Sequence, residues 1–110
     1  MGSLKIVEDL RGRTIKSFMD ILILAELKKD PMSGYDVIGL IHKRFGILVS
    51  SGTIYSLLYS MERKGLIKGD WNKRKRVYVL AEKGDRNIEV IMKVNKEIQN
   101  FLRNILLLKS

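Results

Sequence analysis

Residues 50–67, SSGTIYSLLYSMERKGLI, decide the fold, because their spacing changes from helical to extended within one stretch. Ile54, Leu57, Leu58 and Met61 fall at i, i+3, i+4 and i+7, an apolar stripe along one side of a helix. Ser50 or Ser51 supplies a hydroxyl that can accept from the first free N–H groups, and Gly65 supplies the stop. The opposite side carries Gly52, Ser56, Tyr59 and Arg63, flanked by Thr53, Tyr55 and Ser60. One side is thus built for a core and the other for a polar partner.

Upstream, residues from about Thr14 to Lys29 are apolar almost all round in their second half, so this helix must be covered on more than one side. Asp30-Pro31 ends it, since a residue before proline is driven out of the helical region. Ser33 caps a second helix that sets Val37, Ile38, Ile41 and Phe45 on one face before Gly46. Downstream of Gly65 the period becomes two. Leu66–Trp71 and Arg76–Leu80 form a hairpin around Asn72-Lys73-Arg74-Lys75. From Glu82 to about Leu108 the spacing predicts one helix, near 40 Å long at about 1.5 Å per residue. Ile91, Val94, Ile98, Phe101, Ile105 and Leu108 make a heptad seam along it, widened by Ile88 and Leu102. Such a seam asks for a partner helix.

Composition narrows the function. Of 110 residues, 45% are hydrophobic and 30% charged, with one Pro, as in a folded domain rather than a disordered chain. Lys and Arg number 21 against 12 acidic residues, a net charge of +9, which favours polyanionic partners. The absence of cysteine excludes disulfides and thiolate metal sites, and the lone His42 cannot assemble a histidine cluster. No metal and no cofactor is expected. The longest apolar run, Ile21–Ala25, falls far short of a membrane span and the basic N-terminus lacks a signal-peptide core, so a cytoplasmic protein without a membrane partner is expected. No nucleophile–base pair or phosphate-cradling glycine loop is visible, which argues against an enzyme.

Three helices followed by a basic hairpin is the order of a winged helix-turn-helix, whose third helix enters the major groove of double-stranded DNA while the wing follows the backbone. The fold expected is mainly α with a small β-hairpin: an arm over 1–13, the winged-helix domain over 14–81 and a C-terminal dimerisation helix over 82–110. Small hydroxyls at Ser50, Ser51, Thr53 and Ser56, with Gly52, allow close approach of the helix N-terminus to phosphates and base edges. Tyr55 and Tyr59 add hydroxyl contacts, Arg63 lies on the same side, and Lys73, Arg74, Lys75 and Arg76 concentrate charge in the wing. Capping alone also accounts for the serines, and a solvated turn for the basic run. Trp71, at a strand end, is expected to be partly buried packing rather than a ligand platform. A sequence-tolerant architectural binder of DNA is the alternative to a sequence-specific regulator, since the charge alone supports phosphate contacts.

In combination and in order, several stretches resemble the PadR family of transcriptional regulators: residues 21–27 (ILILAEL), 31–38 (PMSGYDVI), 51–58 (SGTIYSLL), 62–67 (ERKGLI), 75–80 (KRVYVL) and 82–84 (EKG). The resemblance runs from Ile15 to about Leu106. It implies a repressor that dimerises through its first helix, with Phe18 and Leu22, and its last, and that binds an inverted-repeat operator through paired third helices and wings. By position it places Tyr35, Ser51, Thr53, Tyr55 and Ser56 at the DNA face, with Ser33 beside them. The short length resembles the compact branch, some members of which hold flat aromatic drugs between subunits. A small aromatic effector is therefore implied, although no residue pattern here identifies one. Ala81 departs from the family's usual threonine cap, so the start of the last helix is expected to fray or shift.

Overall fold

The computed structural model describes residues 2–107. They form α1 (Gly2–Leu27), β1 (Met32–Ser33), α2 (Gly34–Phe45), α3 (Ser51–Arg63), β2 (Ile67–Asn72), β3 (Lys75–Leu80), α4 (Glu82–Lys93) and α5 (Asn95–Leu107). The helix ends follow their capping chemistry. The Ser33 hydroxyl accepts from the Asp36 N–H while the Asp36 carboxylate accepts from the Ser33 N–H, a reciprocal capping box. Gly46, at φ 68°, closes α2 with its N–H on the His42 carbonyl. Ser50 caps α3, and beyond its end the N–H groups of Gly65 and Leu66 donate to the carbonyls of Glu62 and Met61. That closure turns the chain directly into β2.

Met19, Ile23, Leu24 and Leu27 of α1 meet Val37 and Ile41 of α2, and Ile54, Leu58 and Met61 of α3. Ile67 and Tyr78 of the sheet and Ile88 of α4 complete this core. Ile41, Ile54 and Leu58 are fully buried, each contributing about 1.5–3 kcal/mol of transfer free energy. At the edge of the core Glu26 is also buried; burial opposes its ionisation, but bonds from Arg44 at 3.0 Å and Lys29 at 3.2 Å prevail and hold its carboxyl below the usual range.

The sheet is antiparallel, in the order β1-β3-β2. Its main hairpin runs from the Ile67–Leu80 pair to the Asn72–Lys75 pair. Lys73 sits in the left-handed region at φ 62°, as two-residue hairpin turns require of their first central residue. The two-residue strand β1, which pairs Met32 with Tyr78 and Ser33 with Val77, was not expected from the sequence.

Two expectations need correction, the N-terminal arm and the place of Ile88. Residues 2–13 are not an arm but the first half of α1, supported by Glu8–Arg11 and Asp9–Arg13 pairs at helical spacing and by the Arg11 guanidinium donating to the Phe45 carbonyl at 2.6 Å. The C-terminal helix fits the expectation, with one break: Val94, at φ −103° and ψ 17°, separates α4 from α5, and the Asn95 side-chain amide donates to the Met92 carbonyl at 2.7 Å. Ile88 is 1% exposed within a single chain, so it belongs to the core and not to a seam between chains. Leu108 lies outside the described residues. Despite Ala81 the start of α4 stays in place, because the Ala81 N–H donates to the Leu66 carbonyl and Gly84 lies so close to that carbonyl that a Cβ would collide with it. Among the described residues no helix is long and apolar enough to cross a membrane, and no group of three His, Cys, Asp or Glu could hold a metal ion.

Candidate nucleic-acid interface

The buried stripe of α3 fixes which side of the helix faces outward. With Ile54, Leu58 and Met61 in the core, Ser51, Gly52, Thr53, Tyr55, Ser56, Tyr59 and Arg63 are all exposed. Ser50 is exposed too, but its hydroxyl is engaged: it accepts from the Thr53 N–H at 3.1 Å and donates to the Thr53 hydroxyl at 2.8 Å. Free hydroxyl chemistry in this turn therefore lies at Ser51 and Ser56, beside the open backbone of Gly52. One helical turn further on, the Arg63 guanidinium lies 5.6 Å from the Tyr59 ring centre.

Ser33 lines the floor of a cleft beside this face but offers it little surface. It is 2% exposed and committed to the α2 capping box, so the expectation that it contacts DNA is corrected to a structural role. Tyr35, two residues on, is 77% exposed. Beside it Gly34 gives passage to Tyr55, since a Cβ there would lie 2.6 Å from the tyrosine ring. Tyr55 of α3 thereby packs on the first turn of α2, next to Tyr35 in the chain's order.

A cleft of about 630 Å³ opens between these helices and the wing, lined by Tyr35, Asp36 and Tyr55 on one side and Trp71, Arg74, Lys75 and Arg76 on the other. Trp71 is 65% exposed, against the expectation of partial burial, because strand register places it beyond the last covered residues of the sheet. Lys75 reaches Asp36 at 3.7 Å, while Lys73 and Arg74 at the tip carry no ion pair among the described residues. The Asp36 carboxyl is held below its usual range chiefly by the Ser33 N–H.

Arg76 departs from the expected role of free wing cation. Its guanidinium turns back to Glu62 of α3 at 2.7 Å and stacks 5.9 Å from the Trp71 ring and 5.7 Å from the Tyr78 ring. The same Glu62 oxygen accepts from the Gly69 N–H at 3.1 Å. The Arg76 bond holds the Glu62 carboxyl below its usual range, and the pair raises Arg76. Glu62 escaped the sequence reading because its partners lie 7 and 14 residues away, a separation to which helical periodicity is blind. Its position next to Arg63, one turn before a basic hairpin, is the only signal the sequence offered.

Of the residues expected to pair two copies, Phe18 is exposed on α1, and Leu22 is half-buried against the core. Ile91, Val94, Ile98 and Leu102 are half-buried along α4 and α5, whereas Phe101 and Ile105 are exposed.

Comparison with known proteins matches the family and the fold. The model of the transcriptional regulator PadR-like family matches residues 23–90. No curated protein matches the chain. Among solved structures, a PadR family transcription regulator from hypervirulent Clostridium difficile R20291 is similar at 26% identity and a TM-score of 0.72, over 81% of this chain and 98% of that one. A PadR-like transcriptional regulator from Bacillus cereus strain ATCC 14579 is similar at 23% identity and a TM-score of 0.75, over 89% and 99%. Bacillus subtilis PadR in complex with operator DNA is similar at 22% identity and a TM-score of 0.59, over 67% and 46%. Matched from the last residues of α1 through most of α4, more than half its length, the chain belongs to the PadR-like family of transcriptional regulators.

Proposed function

We propose that the protein is a cytoplasmic, sequence-specific repressor that binds an inverted-repeat operator as a homodimer and carries out no catalysis. The observation that carries this reading is the shared cleft, where the first turn of α2, Tyr55 of α3 and the cations of the wing line one surface. A duplex lying there is read by the outward residues of α3, Ser51, Gly52, Thr53, Tyr55, Ser56 and Tyr59, with Ser50 at its cap. Arg63, Tyr35 and the wing residues Lys73, Arg74 and Lys75 meet the backbone. Bacillus subtilis PadR, of similar fold, forms a complex with operator DNA, which supports DNA as the partner.

Dimerisation in this proposal uses Phe18 and Leu22 of α1 with Ile91, Val94, Ile98, Phe101, Leu102 and Ile105 of α4 and α5, and places the two α3 helices about 34 Å apart, one turn of DNA. Release of the operator by a small aromatic effector belongs to the same reading, on the strength of the family alone.

The net charge of +9 supports a second reading, an architectural protein that coats DNA with little sequence preference. Selection of binding sites from random duplexes by the purified chain separates the two. The repressor yields one short palindromic site, bound about 10³-fold or more above random DNA at fixed salt. A ratio near one establishes the architectural reading instead.

A further inference from the structure

The outer part of the wing lacks the support that its base enjoys. Strand β1 pairs only with Val77 and Tyr78, so beyond that point the hairpin is a two-stranded ribbon, a form that is marginal in water by itself. Residues Asp70–Lys75 are exposed, and Lys75 is tied to α2 only loosely, at 3.7 Å. Against this background the contact with α3 is tight. One oxygen of Glu62 holds both strands at once, β2 through the Gly69 N–H at 3.1 Å and β3 through the Arg76 guanidinium at 2.7 Å.

Arg76 reaches Glu62 by crossing diagonally over Gly69. A Cβ on Gly69 would lie 2.6–2.8 Å from the guanidinium atoms, so the missing side chain is what opens the path. The rings of Trp71 and Tyr78 flank the guanidinium as it crosses, at 5.9 and 5.7 Å. The arrangement absorbs an arginine that would otherwise be available for phosphate.

We propose that Glu62 is a positioning residue for DNA binding, which sets the wing at a fixed angle to the recognition helix so that both meet one duplex together. The inference rests on the functional reading above and adds a role for an acidic residue in a basic surface. Charge alone makes the opposite forecast, since removing a carboxylate beside the DNA face raises the positive potential and strengthens binding. Trp71, the single tryptophan of the chain, lies against Arg76 and reports on the arrangement through its fluorescence.

The test is Glu62→Gln in the full chain. Affinity for the selected operator is measured by titration at fixed salt, Trp71 emission is recorded without DNA, and far-ultraviolet circular dichroism checks the fold. Positioning gives binding weaker by about tenfold, the effect of losing a charge-assisted bond, with a shifted Trp71 emission and an unchanged helical signal. The exchange E62R with R76E restores the attraction between α3 and β3 with its signs reversed, though not the bond from the Gly69 N–H, and recovers part of the loss suffered by R76E alone. Equal or tighter binding by Glu62→Gln overturns the proposal, as does an unmoved Trp71 emission. If Glu62→Gln loses helix, the exchanged pair decides: tighter binding than R76E alone upholds the role, and a folded exchange that binds no better than R76E alone overturns it. Failure of the parent chain to bind any duplex sinks the repressor reading itself, while the DNA-free emission still tests the tie between Glu62 and the wing.

Discussion

The winged-helix head and the two terminal helices use the same apolar residue types with opposite results. In the head Ile41, Ile54 and Leu58 are fully buried within one chain. In the outer half of α1, Leu4 is 66% and Val7 51% exposed; on α5 Phe101 and Leu106 are each 66% exposed, and no residue of that helix is buried. The head therefore closes its own core, whereas the ends of the chain keep a face that one copy leaves open. A helix of 13 residues is marginal in water without tertiary support, and in the proposed dimer a second copy supplies it.

The largest effect that would break this contrast lies in α5. Ile98→Asp combined with Phe101→Asp places unpaired charge in the proposed seam, so sedimentation shows a monomer at micromolar concentration, and operator affinity falls by about 10³-fold as the two-site advantage is lost. A variant that remains dimeric assigns the pairing to other surfaces. Next comes the head itself. Leu58→Ala opens a cavity in the closed core and costs about 3 kcal/mol, lowering the melting temperature by roughly 12–20 °C. A loss below about 1 kcal/mol would show that the head does not stand on its own packing. The smallest effect sharpens the division of labour within the head. Arg74→Ala with Lys75→Ala leaves dimer and fold intact and reduces the slope of log affinity against log salt by about 0.9 for each phosphate contact removed. An unchanged slope takes the wing tip out of the interface.

How much was legible in the sequence followed from the range of the forces involved. Ser33, Gly46, Ser50 and Gly65 mark helix ends through bonds to residues three or four away, so those boundaries could be read locally. The α3 stripe declared its own inner and outer sides, and the basic hairpin announced itself by its change of period. What stayed hidden depends on distant partners. Strand β1 exists only because residues 77 and 78 lie beside it. Ile88 fits both a heptad and a core, and periodicity cannot say which surface covers it. The helix over 2–13 lacks an apolar run, yet Leu4, Val7 and Leu10 at intervals of three and its local charge pairs were available as a signal. The cations of the wing were legible as charge, but not that Arg76 is turned inward to Glu62.

The interruption at Val94 makes α5 a lever. Its 13 residues span about 20 Å, so a rotation of 10° at that one valine displaces the far end by about 3 Å. In the proposed dimer the separation of two heads joined through these levers is thus adjustable by the torsions of a single residue, leaving the outward face of α3 untouched. On the proposed function, substitutions at this joint therefore retune the spacing of the two half-sites independently of which bases are read.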